Sequence, residues 1–364
     1  MKVLLIGGTG AMGAPLQRYL SDLGCKVIIT SRKDHTHASN KNIRYICGNA
    51  HDEKFINEVL LDHFDVIVDF MVYSVEEFSS RAELLLRSTD QYIFISSARV
   101  YSYFSEPITE EHPRLLDVCK DDLYLNTDEY ALSKARQENV LLQGHYKNYT
   151  IVRPSLTYNS ERLQYALGEK ELWLYRYIHN EKVVFPESMD NVVNTMSYGD
   201  DVANAISLLV GNKKAIGEVI HIAGAEAITW GEVNRIYNDV LQERYNRELY
   251  IYIVDDWKHI GHVMGSYYQL KYARSVDRRF DNSKLQSIIG NISFMSPEQG
   301  LKKCLNEFLS GEMLFSEVNW KNEAYFNRIT GDKGYTEKFS VQNRIKYTIG
   351  RYTPFFDLRY SFNE

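Results

Sequence analysis

The chain has 364 residues, 44% hydrophobic and 25% charged, which allows two or three compact units and excludes disordered and fibrous classes. Its net charge of −6 argues against a polyanion-binding face, so no nucleic-acid partner is expected. Cys25, Cys47, Cys119 and Cys304 form no CxxC pair, which favours reduced thiols over a zinc or redox motif, and the apolar run near the N-terminus stops at Gly7, too short for a signal segment or a span. A cytoplasmic location without a membrane partner is the expectation.

The first predicted element is a strand from Val3 to Ile6, apolar throughout and suited to burial on both faces. Gly7-Gly8-Thr9-Gly10-Ala11-Met12-Gly13 follows directly. It satisfies GxGxxG through Gly8, Gly10 and Gly13, and GxxGxxG through Gly7, Gly10 and Gly13. Glycines at these spacings permit a tight turn, close approach of the backbone to a pyrophosphate, and close helix packing. A helix is predicted next, with Pro15 in its first turn and Leu16, Tyr19, Leu20 and Leu23 on one face before Gly24. Its N-terminus favours negative charge, so Gly7 to Gly13 is the expected dinucleotide loop.

Val27 to Thr30 reads as the second strand. An NAD site usually has a carboxylate at its end; Ser31, Arg32 and Lys33 stand there instead, and Arg32 suits a 2′-phosphate. NADP is therefore the favoured cofactor, with NAD the alternative. Arg44 to Cys47 reads as a third strand, and Asp52 as the cap of a helix whose apolar face is Phe55, Ile56, Val59 and Leu60. Strands at Phe64 to Phe70 and Tyr92 to Ser96, with a leucine-rich helix between them, complete a βαβαβ series. The expected class is α/β, a doubly wound parallel sheet of Rossmann type with ligands beyond the carboxyl ends of its strands. Around Arg162 to Asn180 and Trp230 to Leu270 the rhythm weakens and aromatics crowd in, which predicts a smaller, interleaved C-terminal substrate domain. The expected division is 1–160 plus about 185–225 for the dinucleotide domain and about 161–184 plus 226–310 for the substrate domain, with 311–364 an extension of unassigned role.

Ser96-Ser97-Ala98-Arg99-Val100-Tyr101 follows the fifth strand, and Tyr130-Ala131-Leu132-Ser133-Lys134 comes some thirty residues later. On a helix, positions i and i+4 share a face. A free tyrosine titrates near 10. An ammonium about 4 Å from the phenol contributes on the order of 4 kcal/mol at an effective dielectric of 20, roughly three pKa units, enough to bring Tyr130 toward a general base's working range. Ser97, at a strand's carboxyl end, is expected to hydrogen-bond the substrate oxygen.

Together with Ile151-Val152-Arg153-Pro154, Asp200-Asp201-Val202-Ala203 and Arg279-Phe280-Asp281-Asn282-Ser283-Lys284, these motifs resemble the extended short-chain dehydrogenase/reductases over roughly residues 1 to 310. That branch contains nucleotide-sugar epimerases, dehydratases and reductases. The resemblance implies a catalytic triad of Ser97, Tyr130 and Lys134, a nicotinamide flanked by the segment from Pro154, a nucleotide-sugar substrate and a homodimer. Three departures stand out. Gly48-Asn49 replaces the family's Gly-Asp, leaving Asn49 as the expected adenine contact. Asp69-Phe70-Met71 replaces small residues, setting Phe70 and Met71 beside the cofactor. Ala98-Arg99 replaces the Asp-Glu pair of 4,6-dehydratases, which argues against water elimination. Arg99 is a candidate for holding an anionic substrate group or for a surface salt bridge, and Arg279 is a second candidate substrate contact.

The implied function is an NAD(P)-dependent nucleotide-sugar epimerase or keto-sugar reductase. The rival is a non-catalytic NAD(P)-binding sensor or RNA-associated protein on the same fold, against which the retention of both Tyr130 and Lys134 weighs. His35 and His37 lack the companions of a metal site and read as exposed loop residues, and no metal is expected. His221 reads as packed in a strand, and Trp230, Trp257, Tyr252, Tyr267 and Tyr268 as core or interface aromatics.

Overall fold

A computed structural model describes residues 1–35 and 40–356, so His37 lies outside the described residues. In chain order the first half contains β1 (Lys2–Ile6), α1 (Gly13–Asp22), β2 (Lys26–Ser31), β3 (Ile43–Cys47), α2 (Glu53–Val59), β4 (Phe64–Asp69), α3 (Val75–Arg87) and β5 (Thr89–Ile95). Short turns α4 (Leu115–Val118) and α5 (Asp122–Leu125) lead into α6 (Tyr130–Gln143), β6 (Tyr149–Pro154) and β7 (Leu156–Tyr158). Then come α7 (Lys170–Ile178), β8 (Val183–Pro186), β9 (Val193–Tyr198), α8 (Gly199–Leu209), β10 (Val219–Ile222), β11 (Ala227–Thr229), α9 (Trp230–Tyr245) and β12 (Ile251–Val254). The rest is helical: α10 (Lys258–Met264), α11 (Tyr267–Gln269), α12 (Ser283–Ile289), α13 (Pro297–Ser310), α14 (Trp320–Thr330) and α15 (Val341–Tyr352).

The chain divides into two units. The first comprises Met1–Asn159, Thr195–Glu226 and Arg279–Pro297; the second comprises Ser160–Asn194, Ala227–Arg278 and Glu298–Glu364. This differs from the sequence-based division at three places. Residues 185–194 fall in the second unit, 279–297 return to the first, and the described residues beyond 311 are part of the second unit. The return at 279 has a local cause: Ile108 bridges Phe280, and Leu285 of α12 is buried in the first unit's core.

The first unit is built on a seven-stranded sheet in the order β10-β6-β5-β4-β1-β2-β3, with parallel pairing throughout. Alternate residues of each strand feed opposite cores. Val3, Leu5, Val27, Ile29, Val66 and Val68 pack with Leu16 and Leu20 of α1 and Ile206 of α8. Leu4, Ile6, Ile28 and Ile67 pack with Ile56 of α2, Phe78 and Leu85 of α3, and Leu141 of α6. Such double coverage makes the strands apolar throughout. The strand order reverses between β1 and β4, and in sheets of this kind the crevice at the carboxyl ends of those strands takes the ligand. Asp52 caps α2 by accepting from Phe55 N at 3.0 Å, and Pro15 falls in the first turn of α1.

In the second unit β8 and β12 form a parallel pair, and Trp173 stacks on Tyr237 at 4.4 Å between ring centroids. Trp230 and Trp257 are buried, while Tyr252, Tyr267 and Tyr268 are half-buried. The C-terminal helices are held through Arg176 of α7, a fully buried guanidinium. It donates to Glu323 Oε2 at 2.8 Å, Asn327 Oδ1 at 2.9 Å and Asp332 Oδ2 at 3.1 Å, and lies 3.2 Å from Glu181 Oε2. Burial pushes the Glu323 carboxyl up to about 7 even beside this cation. Among the described residues no helix is long and apolar enough to cross a membrane.

Removing one partner of a buried ionic cluster leaves the others uncompensated, at a cost of about 3–5 kcal/mol. Arg176→Met is therefore expected to lower the unfolding free energy by that amount in urea titrations and to open 311–356 to limited proteolysis. An unchanged midpoint and digestion pattern would show that this cluster does not anchor the C-terminal helices.

Candidate active site

The glycine loop leaves β1 through Gly7, whose φ of +68° lies in the left-handed region and whose N–H donates to Thr30 Oγ1 at 3.0 Å. A Cβ at Gly13 would sit 2.5 Å from the Gly8 carbonyl oxygen, so α1 can start against the turn only as glycine. The Gly8 carbonyl accepts from Gln17 Nε2 at 2.7 Å, which fixes the loop to the helix. At Gly10 no heavy atom lies within 4 Å of the position a Cβ would take, and Thr9 and Gly10 are exposed. Helix α1 begins at Met12 and Gly13 without a side-chain cap or an acidic residue in its first turn; Ala14 N donates to the Gly10 carbonyl at 2.9 Å and Pro15 has no N–H, so an external anion would meet the amides ahead of Ala14. Ala11 and Met12 are half-buried between loop and helix. This cradle of small residues and uncapped donors fits a dinucleotide pyrophosphate.

The neighbouring strand ends complete the crevice. Phe70 N donates to the Ile6 carbonyl at 2.9 Å, and Met71 Sδ lies against Gly7, within 2.8 Å of where a Cβ would be. Asp69 is wholly buried, accepting from Met71 N, Tyr73 OH and Tyr92 OH at 2.9, 3.0 and 2.9 Å. At the end of β2, Ser31 Oγ accepts from Lys33 N at 3.1 Å and pairs with His35 Nε2 at 3.1 Å, while Arg32 is exposed. His35, expected as an exposed loop residue, is half-buried and stacks on Tyr45 at 4.4 Å. Asn49 is exposed, and its Oδ1 accepts from His51 N at 3.2 Å. Pro154 ends β6, buried beside Ser155, whose Oγ lies 2.5 Å from Ser197 Oγ.

Beyond β5 the chain turns sharply at Ser97, whose Oγ accepts from Arg99 N at 3.2 Å. Tyr130 is the first residue of α6, and Lys134 lies one turn on, buried. Lys134 Nζ donates to the Ile95 carbonyl at 2.9 Å and the Met71 carbonyl at 3.2 Å, and sits 6.0 Å from the Tyr130 ring centroid. Burial lowers the Lys134 pKa to about 8, against the pull of Asp69 and Glu138. The Arg99 guanidinium lies 5.1 Å from the Tyr130 ring centroid. Arg99 is ion-paired with Glu129, which also accepts from Ala131 N at 2.8 Å and Tyr124 OH at 3.2 Å. The structure thus brings Arg99 into a salt bridge beside Tyr130. Arg279 is exposed, its carbonyl accepting from Ile108 N at 2.7 Å.

Two further groups in the site carry no motif. Glu138, buried one turn beyond Lys134, accepts from Ser96 Oγ at 2.6 Å and from Arg153 at 2.8 and 2.7 Å, with Arg114 at 3.1 Å. His221 is buried in β10, its Nδ1 3.4 Å from Tyr101 OH and its Nε2 2.8 Å from the Asp281 carbonyl, and burial lowers its pKa.

A parallel sheet with a glycine loop after its first strand is the arrangement of a dinucleotide-binding fold. Residues 3–223 match the model of the NAD dependent epimerase/dehydratase family. The chain belongs to that family, enzymes of the extended short-chain dehydrogenase/reductase type. Among solved structures it is similar to a dTDP-glucose 4,6-dehydratase from Bacillus anthracis in complex with NAD: TM-score 0.67, 19% identity, covering 88% of this chain and 100% of that one. It is also similar to a UDP-glucuronic acid 4-epimerase from Bacillus cereus in complex with UDP-glucuronic acid and NAD: TM-score 0.62, 16% identity, 85% and 100% covered. A curated relative, the chloroplast stem-loop binding protein of 41 kDa b from Arabidopsis thaliana, is 26% identical over 245 residues, 63% of this chain. The match spans 60% of that relative's length.

The depressed pKa of Lys134 has a definite sign in stability. Between about 8 and the ordinary lysine value of 10.5 the unfolded chain binds the extra proton, so the Lys134 contribution to stability rises with pH across that window. Relative to Lys134→Met, the wild type is expected to gain on the order of 3 kcal/mol from pH 7.5 to about 10.5 in paired urea titrations. A pH-independent difference would mean that Lys134 is not desolvated.

Proposed function

We propose that the chain is an NAD(P)-dependent nucleotide-sugar oxidoreductase, an epimerase or a keto-sugar reductase, working through Ser97, Tyr130 and Lys134. One observation carries the reading. Tyr130 and the buried Lys134 share a face of α6, and Lys134 Nζ is 2.9 Å from the carbonyl of Ile95, two residues before Ser97. The nicotinamide, when bound, supplies or accepts the hydride. The glycine loop would hold the pyrophosphate, Ser31 and Arg32 the adenosine ribose, Asn49 the adenine edge, and Phe70, Met71 and Pro154 the walls of the cofactor site. Tyr130 exchanges the proton of the reacting hydroxyl. Lys134 and Arg99, cations 6.0 and 5.1 Å from its ring centroid, favour negative charge on that oxygen as the proton leaves. Ser97 Oγ accepts the Arg99 N–H, so its own hydroxyl proton is directed to the substrate oxygen. Ala98 and Arg99, standing where 4,6-dehydratases carry an acid pair, weigh against elimination.

For the cofactor we favour NADP. Ser31, Arg32 and Lys33 offer a hydroxyl and two cations at the end of β2, and His35 Nε2 lies 3.1 Å from Ser31 Oγ, adding a group that carries positive charge when protonated. A second reading, an RNA-associated protein on this fold, is favoured by the likeness to the chloroplast stem-loop binding protein. The net charge of −6 opposes it.

Purified protein, denatured, is expected to release no stoichiometric NAD, and the empty protein is expected to bind NADPH in preference to NADH. Stoichiometric NAD would reverse the cofactor assignment and favour an epimerase. With a panel of UDP- and dTDP-sugars, Tyr130→Phe is expected to lower hydride exchange into the dinucleotide by about 10²–10⁴-fold. Retention of a stem-loop RNA by both proteins, with no exchange by either, would instead support the RNA reading.

A further inference from the structure

Helix α15 rests on the second unit through Tyr347 and Gly350, both buried. Tyr347 packs with Ala324 and Phe339, and polar contacts add to this: Asn327 Nδ2 and Arg351 Nη1 each donate to Tyr347 OH at 3.0 Å, and Arg328 Nη1 donates to the Gly350 carbonyl at 2.7 Å. On the opposite side, positions i, i+4, i+8 and i+11 form one stripe at 3.6 residues per turn. They are Val341, Ile345, Ile349 and Tyr352, exposed by 76, 59, 43 and 74%. A surface helix ordinarily turns its apolar stripe to the core. Here it faces outward along the helix, and a contiguous apolar patch of this kind marks an interaction surface.

The flanks identify the occupant. Arg344 and Arg351 border the stripe on one side and Lys346 on the other, and α15 has no acidic residue in a chain whose net charge is −6. None of the three cations is ion-paired among the described residues; Arg344 donates to the carbonyls of Phe339 and Glu337, and Lys346 lies 5.9 Å over the Trp320 ring. A second copy of the stripe would bring these cations against their own counterparts, a like-charge contact that disfavours self-association. A bilayer with anionic headgroups satisfies both parts. The apolar stripe enters the boundary between headgroups and acyl chains, and the long basic side chains on either shoulder reach up to phosphate.

We infer that α15 is a peripheral docking helix for an anionic lipid surface. It amends the expectation of no membrane partner without invoking a span. The test is co-sedimentation of the full chain with phosphatidylcholine vesicles, with and without phosphatidylglycerol. Binding is expected only to the anionic vesicles, and is lost at about 1 M salt, where the screening length falls to about 3 Å. Lys346→Gln should weaken the partition by about fivefold, and Ile345→Glu with Ile349→Glu should abolish it, with the thermal midpoint unchanged because both side chains are exposed. The inference is overturned by absence of sedimentation, by equal binding to both vesicle types, or by a concentration-dependent dimer that Ile345→Glu dissociates. Binding that appears only after removal of residues 357–364 also overturns it, since the chain's own end would then be the occupant.

Discussion

Two opposite charges one turn apart on the buried face of α6 set the geometry of the candidate site. A lone buried ammonium or carboxylate is expensive, and each is tolerated only when fully hydrogen-bonded or paired. Lys134 meets that demand by donating to the carbonyls of Ile95 and Met71, past the ends of β5 and β4. Glu138 meets it with Ser96, Arg153 and Arg114. Apolar packing alone lets a helix slide by fractions of a turn, whereas these directional contacts key α6 to two strand ends at once. Tyr130, at the start of the same helix, inherits that register, and so does Ser97, which follows the residue bound to Glu138.

The unusual residues after β4 belong to the same constraint. Asp69 is buried behind Lys134, and its field together with that of Glu138 favours the charged lysine while burial opposes it. Burial pushes the Asp69 carboxyl up, and Met71 N, Tyr92, Lys134 and Tyr73 work against that rise. The cation thus feels two buried carboxylates and lies 6.0 Å from the Tyr130 ring centroid. With small residues after β4 this arrangement would have one carboxylate fewer. Met71 is then forced forward, where its carbonyl binds Lys134 and its sulfur closes on Gly7.

The elements that could be read from the sequence carry local signals. The glycine loop, the alternation of strands and helices, the Asp52 cap and the Tyr130-Lys134 spacing each lie within a few residues. Glu138, Asp69, Glu129 and His35 carry no such signal. Each has at least one partner well separated in sequence, as with Ser96 and Glu138, 42 residues apart, and Arg99 and Glu129, 30 apart, and one sequence holds no information about such pairs. The C-terminal segment failed for a different reason. Pattern reading assumes that a helix buries its apolar stripe. Helix α14 buries Asn322, Glu323, Asn327 and Thr330 together with Ala324, Tyr325 and Phe326, and α15 turns its isoleucines outward, so neither helix presents a plain apolar stripe to the core. The boundary at 279 was missed because the return to the first unit after a long excursion rests on contacts distant in sequence, the bridge between Ile108 and Phe280 and the burial of Leu285 among them.

Arg99 illustrates how a departure from a family pattern changes chemistry as well as structure. Its backbone N–H is bound by Ser97 Oγ, its guanidinium lies over Tyr130, and its charge is answered by Glu129, which also starts α6 by accepting from Ala131 N. Ser97, Tyr130 and the start of α6 are therefore linked through Arg99. Moving the guanidinium to hold a substrate anion would break the pair and leave Glu129 half-buried beside Tyr130 without its cation, at a cost that a bound anion would have to offset. The residues after Ser97 consequently supply fixed positive charge at the tyrosine ring and no free acid.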